Sequence, residues 1–290
     1  MNESIILNKS ALTRKRWATI GRYFILLLSS FILLLPFFSL LMTAFKSNQQ
    51  VITDPGSFWP APVEWGNFGV TFSKFNFLRY AFNSSHIAVI TVIGVCISSS
   101  LVAYAFARFQ IRESGIIFSV MLASIMVPAQ VIQIPMYSLY NTLGWIGTYI
   151  PFWIPPFLGG GIVNVFLIRQ FILGLSGSLF ESAEIDGASE LRKFTSIALP
   201  LSRPVIFTVA IFTFTGSWND FFTPLVYLNK EHLRTLALGV YFVYTSKEAG
   251  SVLWNILSAA NIVMIIPIVA LFFLAQKYFI EGINVSGIKG

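Results

Sequence analysis

The sequence predicts an all-α membrane protein with six transmembrane helices and both termini in the cytoplasm. Three observations lead there. Mean hydropathy is +0.75 and charged residues make up 11% of the 290-residue chain, against about 25% in soluble domains. Six apolar runs each reach the roughly 20 residues that a helix needs to cross a bilayer. The 19 Lys and Arg residues divide unevenly between the segments that join those runs.

Residues 1–22 are polar and carry Lys9, Arg14, Lys15, Arg16 and Arg22. The first run, 23–45, contains Pro36. A signal peptide competes for it, but such a peptide has an apolar core of about 7–15 residues. This run is longer and no clear small-x-small cleavage site follows, so it reads as an uncleaved first span. Segment 46–85 is turn-rich, with Asp54-Pro-Gly56, Trp59-Pro-Ala-Pro62 and Trp65-Gly-Asn67. It reads as an external loop whose tryptophans sit in the interfacial belt or pack on neighbouring spans. Runs 87–107, 115–137, 150–168, 205–228 and 256–279 complete the six. A polar loop, 178–204, separates the fourth from the fifth, and a second external loop, 229–255, separates the fifth from the sixth. A short tail, 281–290, follows. No internal repeat or linker divides the chain, so 23–280 reads as one membrane domain.

Orientation follows from charge. With the N-terminus inside, thirteen of the 19 basic residues fall on the inner side, leaving Lys46, Lys74, Arg79, Lys230, Arg234 and Lys247 outside. Cytoplasmic loops carry the excess of Lys and Arg. The same count places 178–204 in the cytoplasm.

Several function classes are excluded. The net charge of +7 follows topology rather than forming a patch, so no nucleic-acid partner is expected. The single cysteine, Cys96, excludes an internal disulfide and a Cys-based metal site. It lies in an apolar run and reads as a packing residue. No Gly-x-x-x-x-Gly-Lys-Ser/Thr stretch occurs, so the chain has no P-loop. His86 and His232 lie far apart at loop–membrane borders and read as interfacial polar groups. No catalytic triad or metal spacing is present. Neither enzymatic activity nor a cofactor is expected in this chain, and any ATP-driven step needs a partner.

Charge inside a span is costly and marks a functional hypothesis. Asp220, in Gly216-Ser-Trp-Asn-Asp-Phe221, lies about 22 Å along a helix counted from Val205. Gln130 lies about 21 Å along the third run, with Gln133 and Tyr137 on the same helical face. Asn261 lies about 8 Å in from the outer end of the sixth. At one shared depth, Trp218, Asn219, Asp220, Gln130, Gln133, Tyr137 and Asn261 are candidates for a polar pathway lining. Interhelical hydrogen bonding is the competing role, and Asp220 has Lys230 and Arg234 as possible ion-pair partners. Asn164, beside Gly159-Gly-Gly161, is a further candidate; there the glycines either loosen the helix or allow close approach, and read as close-packing residues.

The loop 178–204 is the most specific stretch. It holds Glu181, Glu184, Asp186 and Glu190, four of the twelve acids, with Arg192, Lys193 and Arg203. Ser178 followed by Glu181 predicts a capping box that opens a short helix near Leu179. Gly187 predicts its left-handed stop. A second helix is predicted from Ser189 to Leu199, closed by Pro200 and Pro204. Leu191, Phe194 and Ile197 form an apolar stripe along it. On spacing alone, an amphipathic helix on the membrane surface remains a competing reading.

The residues Glu181, Ala183, Asp186, Gly187, Ala188, Phe194, Leu199 and Pro200 resemble the EAA loop of membrane subunits of binding-protein-dependent ABC importers. Ser182 stands where that motif's name has alanine. Phe82-Asn-Ser84, Pro128-Ala-Gln-Val131, Ile134-Pro-Met-Tyr137, the Asp220 segment and the tail from Gln276 to Gly290 resemble the carbohydrate branch, of MalG type. The resemblance implies a type I importer permease fold and an EAA loop that couples to an ATPase. It also implies a homologous second permease subunit, an ATPase dimer that binds ATP and Mg, an extracytoplasmic solute-binding protein and a sugar or oligosaccharide substrate. The site it implies is the bacterial cytoplasmic (inner) membrane, with the lipid of that membrane around the chain. It gives the tail a second coupling role at the ATPase dimer. Permeases for amino acids or peptides remain alternatives, as does a stand-alone channel or secondary transporter.

Overall fold

The computed structural model describes residues 2–74, 76–109, 112–245 and 253–286, and these contain helices and no strand. In chain order the helices are α1 (Asn2–Ala44), α2 (Asn48–Thr53), α3 (Gly66–Lys74), α4 (Phe77–Arg108), α5 (Ser114–Ala123), α6 (Ala129–Thr142), α7 (Ile150–Trp153), α8 (Ile162–Leu173), α9 (Gly177–Ile185), α10 (Glu190–Lys193), α11 (Leu199–Leu201), α12 (Arg203–Asn219), α13 (Phe222–Tyr227), α14 (Leu236–Thr245) and α15 (Trp254–Ser286). Four stretches are long and apolar enough to cross a membrane: Thr19–Ala44, Phe77–Arg108, Ile150–Leu173 and Trp254–Gln276. Two bent pairs, Ser114–Met126 with Ala129–Thr142 (98°) and Glu190–Leu201 with Arg203–Asn219 (74°), raise the number to six if each is one span.

The chain divides into two compact units, Met1–Thr71 with Ala249–Val263, and Phe72–Glu248 with Met264–Gly290. In the first, Asn67 holds the segment after α1 in place. Its amide nitrogen donates to the carbonyls of Ala44 (2.8 Å) and Lys46 (2.9 Å), and its oxygen accepts from Asn255 (2.9 Å). Gln50 ties the turn-rich stretch together, donating to Trp59 O and accepting from Ala61 N–H. Buried polar groups need such partners, because leaving one unpaired costs the full desolvation.

In the second unit α4 is central and packs along α8 and α12. Close approach is built from small residues. A Cβ on Gly94 would stand 2.8 Å from the Phe157 ring, and one on Gly160 would stand 2.6 Å from Ser99. Gly159, Gly160 and Gly161 all have positive φ, so the fourth span breaks there, while the approach of Gly160 to Ser99 is the close packing expected of these glycines. Ser98 Oγ donates to Pro156 O (2.7 Å) and Asn164 Nδ2 to Gly160 O (2.8 Å), satisfying carbonyls that the break frees.

Five sequence expectations on helix boundaries are corrected. Residues 77–85, read as loop, already belong to α4. Asn83 and Ser84 look like loop formers, yet Asn83 donates to the carbonyls of His232 and Arg234, and Ser84 Oγ accepts from Leu236 N–H. The third run is not straight: Val127 is extended before Pro128, as pre-proline sterics favour, and Gln130, Gln133 and Tyr137 lie beyond the bend on α6. The fifth run ends at Asn219, where Asp220 leaves the helical region (φ −64°, ψ 117°). Counting 22 Å up a continuous helix to Asp220 ends, in fact, at a break. The loop read at 229–255 contains the apolar helix α14, whose Leu236 and Leu238 are buried; its 246–252 portion lies outside the described residues. Finally, α15 carries the expected tail to Ser286 as helix, while 287–290 lie outside the described residues.

Candidate functional site, the loop from α9 to α12

The segment starts at α9, whose N-cap is Ser176 rather than Ser178 and has no side-chain capping bond. The expected capping box is absent: Ser178 already lies in α9, and its Oγ is 2.7 Å from the Oγ of the N-cap residue Ser176. The stop at Gly187 is as expected, with φ +74°. Ala188 N–H donates to Ala183 O (2.8 Å) and Gly187 N–H to Glu184 O (2.9 Å), the paired bonds of a Schellman turn. Ser189 then caps α10, its hydroxyl accepting from Arg192 N–H.

The second helix runs on through a π-turn at Phe194–Ala198 into α11, so Pro200 does not close it. Proline cannot donate and crowds the carbonyl four residues back. The π-turn just before it carries the bond from Leu199 N–H to Phe194 O instead. The chain leaves this helix at Ser202 and bends into α12.

The buried face of the second helix also differs from the expected stripe. Leu191 is 68% exposed, whereas Lys193, Phe194 and Ala198 are buried and Ile197 is half-buried. Lys193 Nζ sits 2.6 Å from Glu190 Oε1 and 3.1 Å from Glu184 Oε2. The hydrogen bond to Lys193 holds the Glu190 carboxyl below the usual glutamate range, and the bond to Glu190 holds the lysine above its own. Phe180, Phe194 and Ala198 join the core cluster built on α4, α8 and α12.

What remains outward is distinctive. Glu181, Ser182 and Asp186 are exposed, and Ile185 is 87% exposed although apolar. Glu181 and the Asp186 side chain make no hydrogen bond or ion pair among the described residues. Gly187 has no neighbour near its missing side chain. The face around the turn is thus free to meet another surface, and its shape is fixed from behind.

The pathway candidates separate. Asp220 Oδ1 accepts from Thr223 N–H (3.1 Å) and so caps the turn into α13; Asn219 beside it is exposed. Trp218 is buried, stacked on Phe214, and donates Nε1–H to Met264 O (3.0 Å). Tyr137 stacks on Tyr227 of α13 (6.5 Å). Gln130 is exposed and Gln133 half-buried. Asn261 belongs to the other unit and donates to Leu257 O one turn back. His86 packs edge-on against Tyr149 and Trp153. Among the described residues no group of His, Cys, Asp and Glu has metal-ligand geometry.

Sequence reasoning missed Tyr104 and Arg108 at the C-terminal end of α4. Tyr104 O–H donates to Glu190 Oε2 (2.9 Å), and the Arg108 guanidinium lies 3.6 Å from the Phe180 ring centroid. Their spacing of four, which puts both on one helix face, was the available signal.

Comparison with known proteins fits this geometry. Residues 99–285 match the family described as binding-protein-dependent transport system inner membrane component. The arabinooligosaccharides transport system permease protein AraQ of Halalkalibacterium halodurans is 32% identical over 275 residues, 94% of this chain and 95% of that protein. The maltose/maltodextrin transport system permease protein MalG of Photorhabdus laumondii is 31% identical over 229 residues, 76% of this chain and 75% of that protein. A chain of a bacterial ABC transporter involved in import of the acidic polysaccharide alginate superposes with a TM-score of 0.78 at 21% identity, covering 91% of this chain and 97% of the other. The family match spans more than half the chain and the AraQ relative aligns nearly end to end, so this protein is a multi-pass inner-membrane component of the binding-protein-dependent transport family.

Proposed function

We propose that this chain is one permease subunit of an ATP-driven importer for a sugar or oligosaccharide. It supplies half of the translocation pathway, and a homologous second permease supplies the other half. An ATPase dimer binds ATP and Mg, and an extracytoplasmic solute-binding protein delivers the substrate. The names of the relatives support the substrate class. The observation that carries the coupling role is the loop around Gly187: its turn is closed by its own backbone, it is anchored from behind, and it offers Glu181, Ile185 and Asp186 outward.

In this reading Glu181, Ala183, Asp186, Gly187 and Ala188 form the surface that enters a cleft on the ATPase. Phe194, Leu199 and Pro200 shape the helix behind it. Closure of the ATPases displaces the loop and with it α8 and α12. The six spans leave both termini and the loop in the cytoplasm, in keeping with the thirteen-to-six charge division. Asn219 and Asp220, at a helix break, are the foremost pathway candidates, with Gln130, Gln133 and Tyr137 on α6, beyond the bend; Trp218 and Asn261 complete the set. Helix breaks at membrane depth are tolerated where they line a cavity or are buried in protein.

Copurification tests this reading. The tagged chain, expressed with its native partners, should bring down a nucleotide-binding subunit and hydrolyse ATP. A chain that purifies free of any such subunit and moves solute on an ion gradient would contradict it.

A further inference from the structure

A buried lysine at the root of the loop needs an explanation beyond docking, because a buried cation must be paired to be tolerated. Lys193 is 6% exposed and gathers two carboxylates from the two loop helices, Glu184 from α9 and Glu190 from α10. Glu190 uses its second oxygen to accept the hydroxyl of Tyr104, a buried residue on α4. The Tyr104 ring also lies 5.2 Å from Phe194 and 6.5 Å from Phe180. One turn further along α4, Arg108 covers the Phe180 ring and donates to the carbonyls of Ile172 and Leu175, where α8 ends. The last two turns of α4 therefore hold both loop helices, although α4 is neither of the spans joined to the loop in sequence.

We infer that Tyr104, Glu190 and Lys193 form a latch that makes α4 move as one body with the loop. This rests on the reading that the loop couples to an ATPase. Displacement of the loop then passes sideways into α4 as well as along the chain into α8 and α12. Because α4 packs on α7, α8 and α12, and through Gly94, Ser98 and Ser99 on residues 156–160 between α7 and α8, a shift of α4 carries the packed bundle rather than one helix end. Tyr104 and Lys193 are positioning residues: they touch no substrate and act through the loop.

The test uses the assembled complex with its ATPase in lipid nanodiscs. Cys96 is replaced by Ala, and spin labels are placed at Leu101→Cys on α4 and Leu179→Cys on α9, both exposed positions. The probe is ATP with vanadate. The expected result is one narrow distance that is unchanged by ATP–vanadate in the parental complex. Tyr104→Phe should lose that constancy, so that the distance shifts or broadens on trapping, and ATP hydrolysis per complex should change with it. Glu190→Ala, which removes the acceptor of the Tyr104 hydroxyl together with the Lys193 ion pair, should act at least as strongly, and adding Tyr104→Phe to it should make it no worse. Lys193→Arg, which keeps the ion pairs, should behave as the parent. A parental distance that itself shifts on trapping would overturn the latch, as would Tyr104→Phe retaining a constant distance. Additive effects of Tyr104→Phe and Glu190→Ala would also contradict it. Failure of the coupling reading looks different: no ATPase accompanies even the parental chain.

Discussion

The turn at Gly187 and the break at Asp220 both interrupt helix with polar residues, and they are held in opposite ways. At Gly187 the backbone closes on itself through two Schellman bonds, while an ion-paired lysine and two phenylalanines brace the helices from behind. Its outward groups have no partner among the described residues. At Asp220 one side-chain oxygen holds the turn, by capping Thr223, and Trp218 beside it is pinned by a hydrogen bond to Met264 O. A stiff turn transmits force; a break held by one capping bond can rearrange. In the proposed importer, transmission falls to the loop and rearrangement to the break.

The largest expected effect strikes the stiff turn. Gly187→Val puts a branched side chain at φ +74°, where L-residues are strained by roughly 1–2 kcal/mol. The site is open, so the chain should still insert and accumulate. ATPase association, or ATP hydrolysis by the complex, should fall about fivefold or more, since about 1.4 kcal/mol is a factor of ten in an equilibrium. Pull-down of the ATPase with the variant chain measures it; binding and transport at the parental level would remove the turn from the mechanism.

Asp220→Ala should do less. Losing a capping acceptor costs about 1 kcal/mol, so transport should drop several-fold while assembly and basal ATP hydrolysis stay near parental. Asp220→Asn keeps an acceptor and should retain the cap. If Asn restores transport, Asp220 works as a cap; if Asn is as poor as Ala, its charge is used directly. A variant that fails to assemble would make the residue a structural partner instead.

The smallest effect is on pH. The bond to Lys193 lowers the Glu190 pKa, so this carboxylate's stabilisation is present above the unfolded value, about 4.3, and is lost as pH falls through the lower native value. Lys193 is shifted up, so its share is complete below its unfolded value and is lost as pH rises through the native one. The anchoring should hold across neutral pH and loosen first in acid. Amide exchange in Glu190–Ala198, corrected for intrinsic rate, should quicken below pH about 4. Partial exposure of Glu190 screens the pair and keeps the change small.

Local chemistry made part of this legible in the sequence. Gly187 could be read as a left-handed stop because the requirement is confined to one residue's backbone. The helical class and most spans followed from apolar runs, since the bilayer is a uniform solvent. What escaped depended on distant partners. Asn83 and Ser84 lie in helix because a segment some 150 residues later accepts and donates to them. Lys193 is buried while Leu191 is exposed because two glutamates and a tyrosine on α4 pair that side of the helix, which periodicity cannot foresee. Asp220 was read inside a continuous span, although Pro224, which crowds the carbonyl four residues back, and the polar pair Asn219-Asp220 were local signals of the break.

The account turns on whether the face around Gly187 enters an ATPase. Ile185, 87% exposed and apolar, stands one helical position before the Asp186 cap of that turn. A photo-crosslinking amino acid in place of Ile185, irradiated in intact cells, should give one protein adduct that also takes up 8-azido-ATP. Adducts with lipid alone, or with a protein that does not bind the nucleotide, would contradict the account.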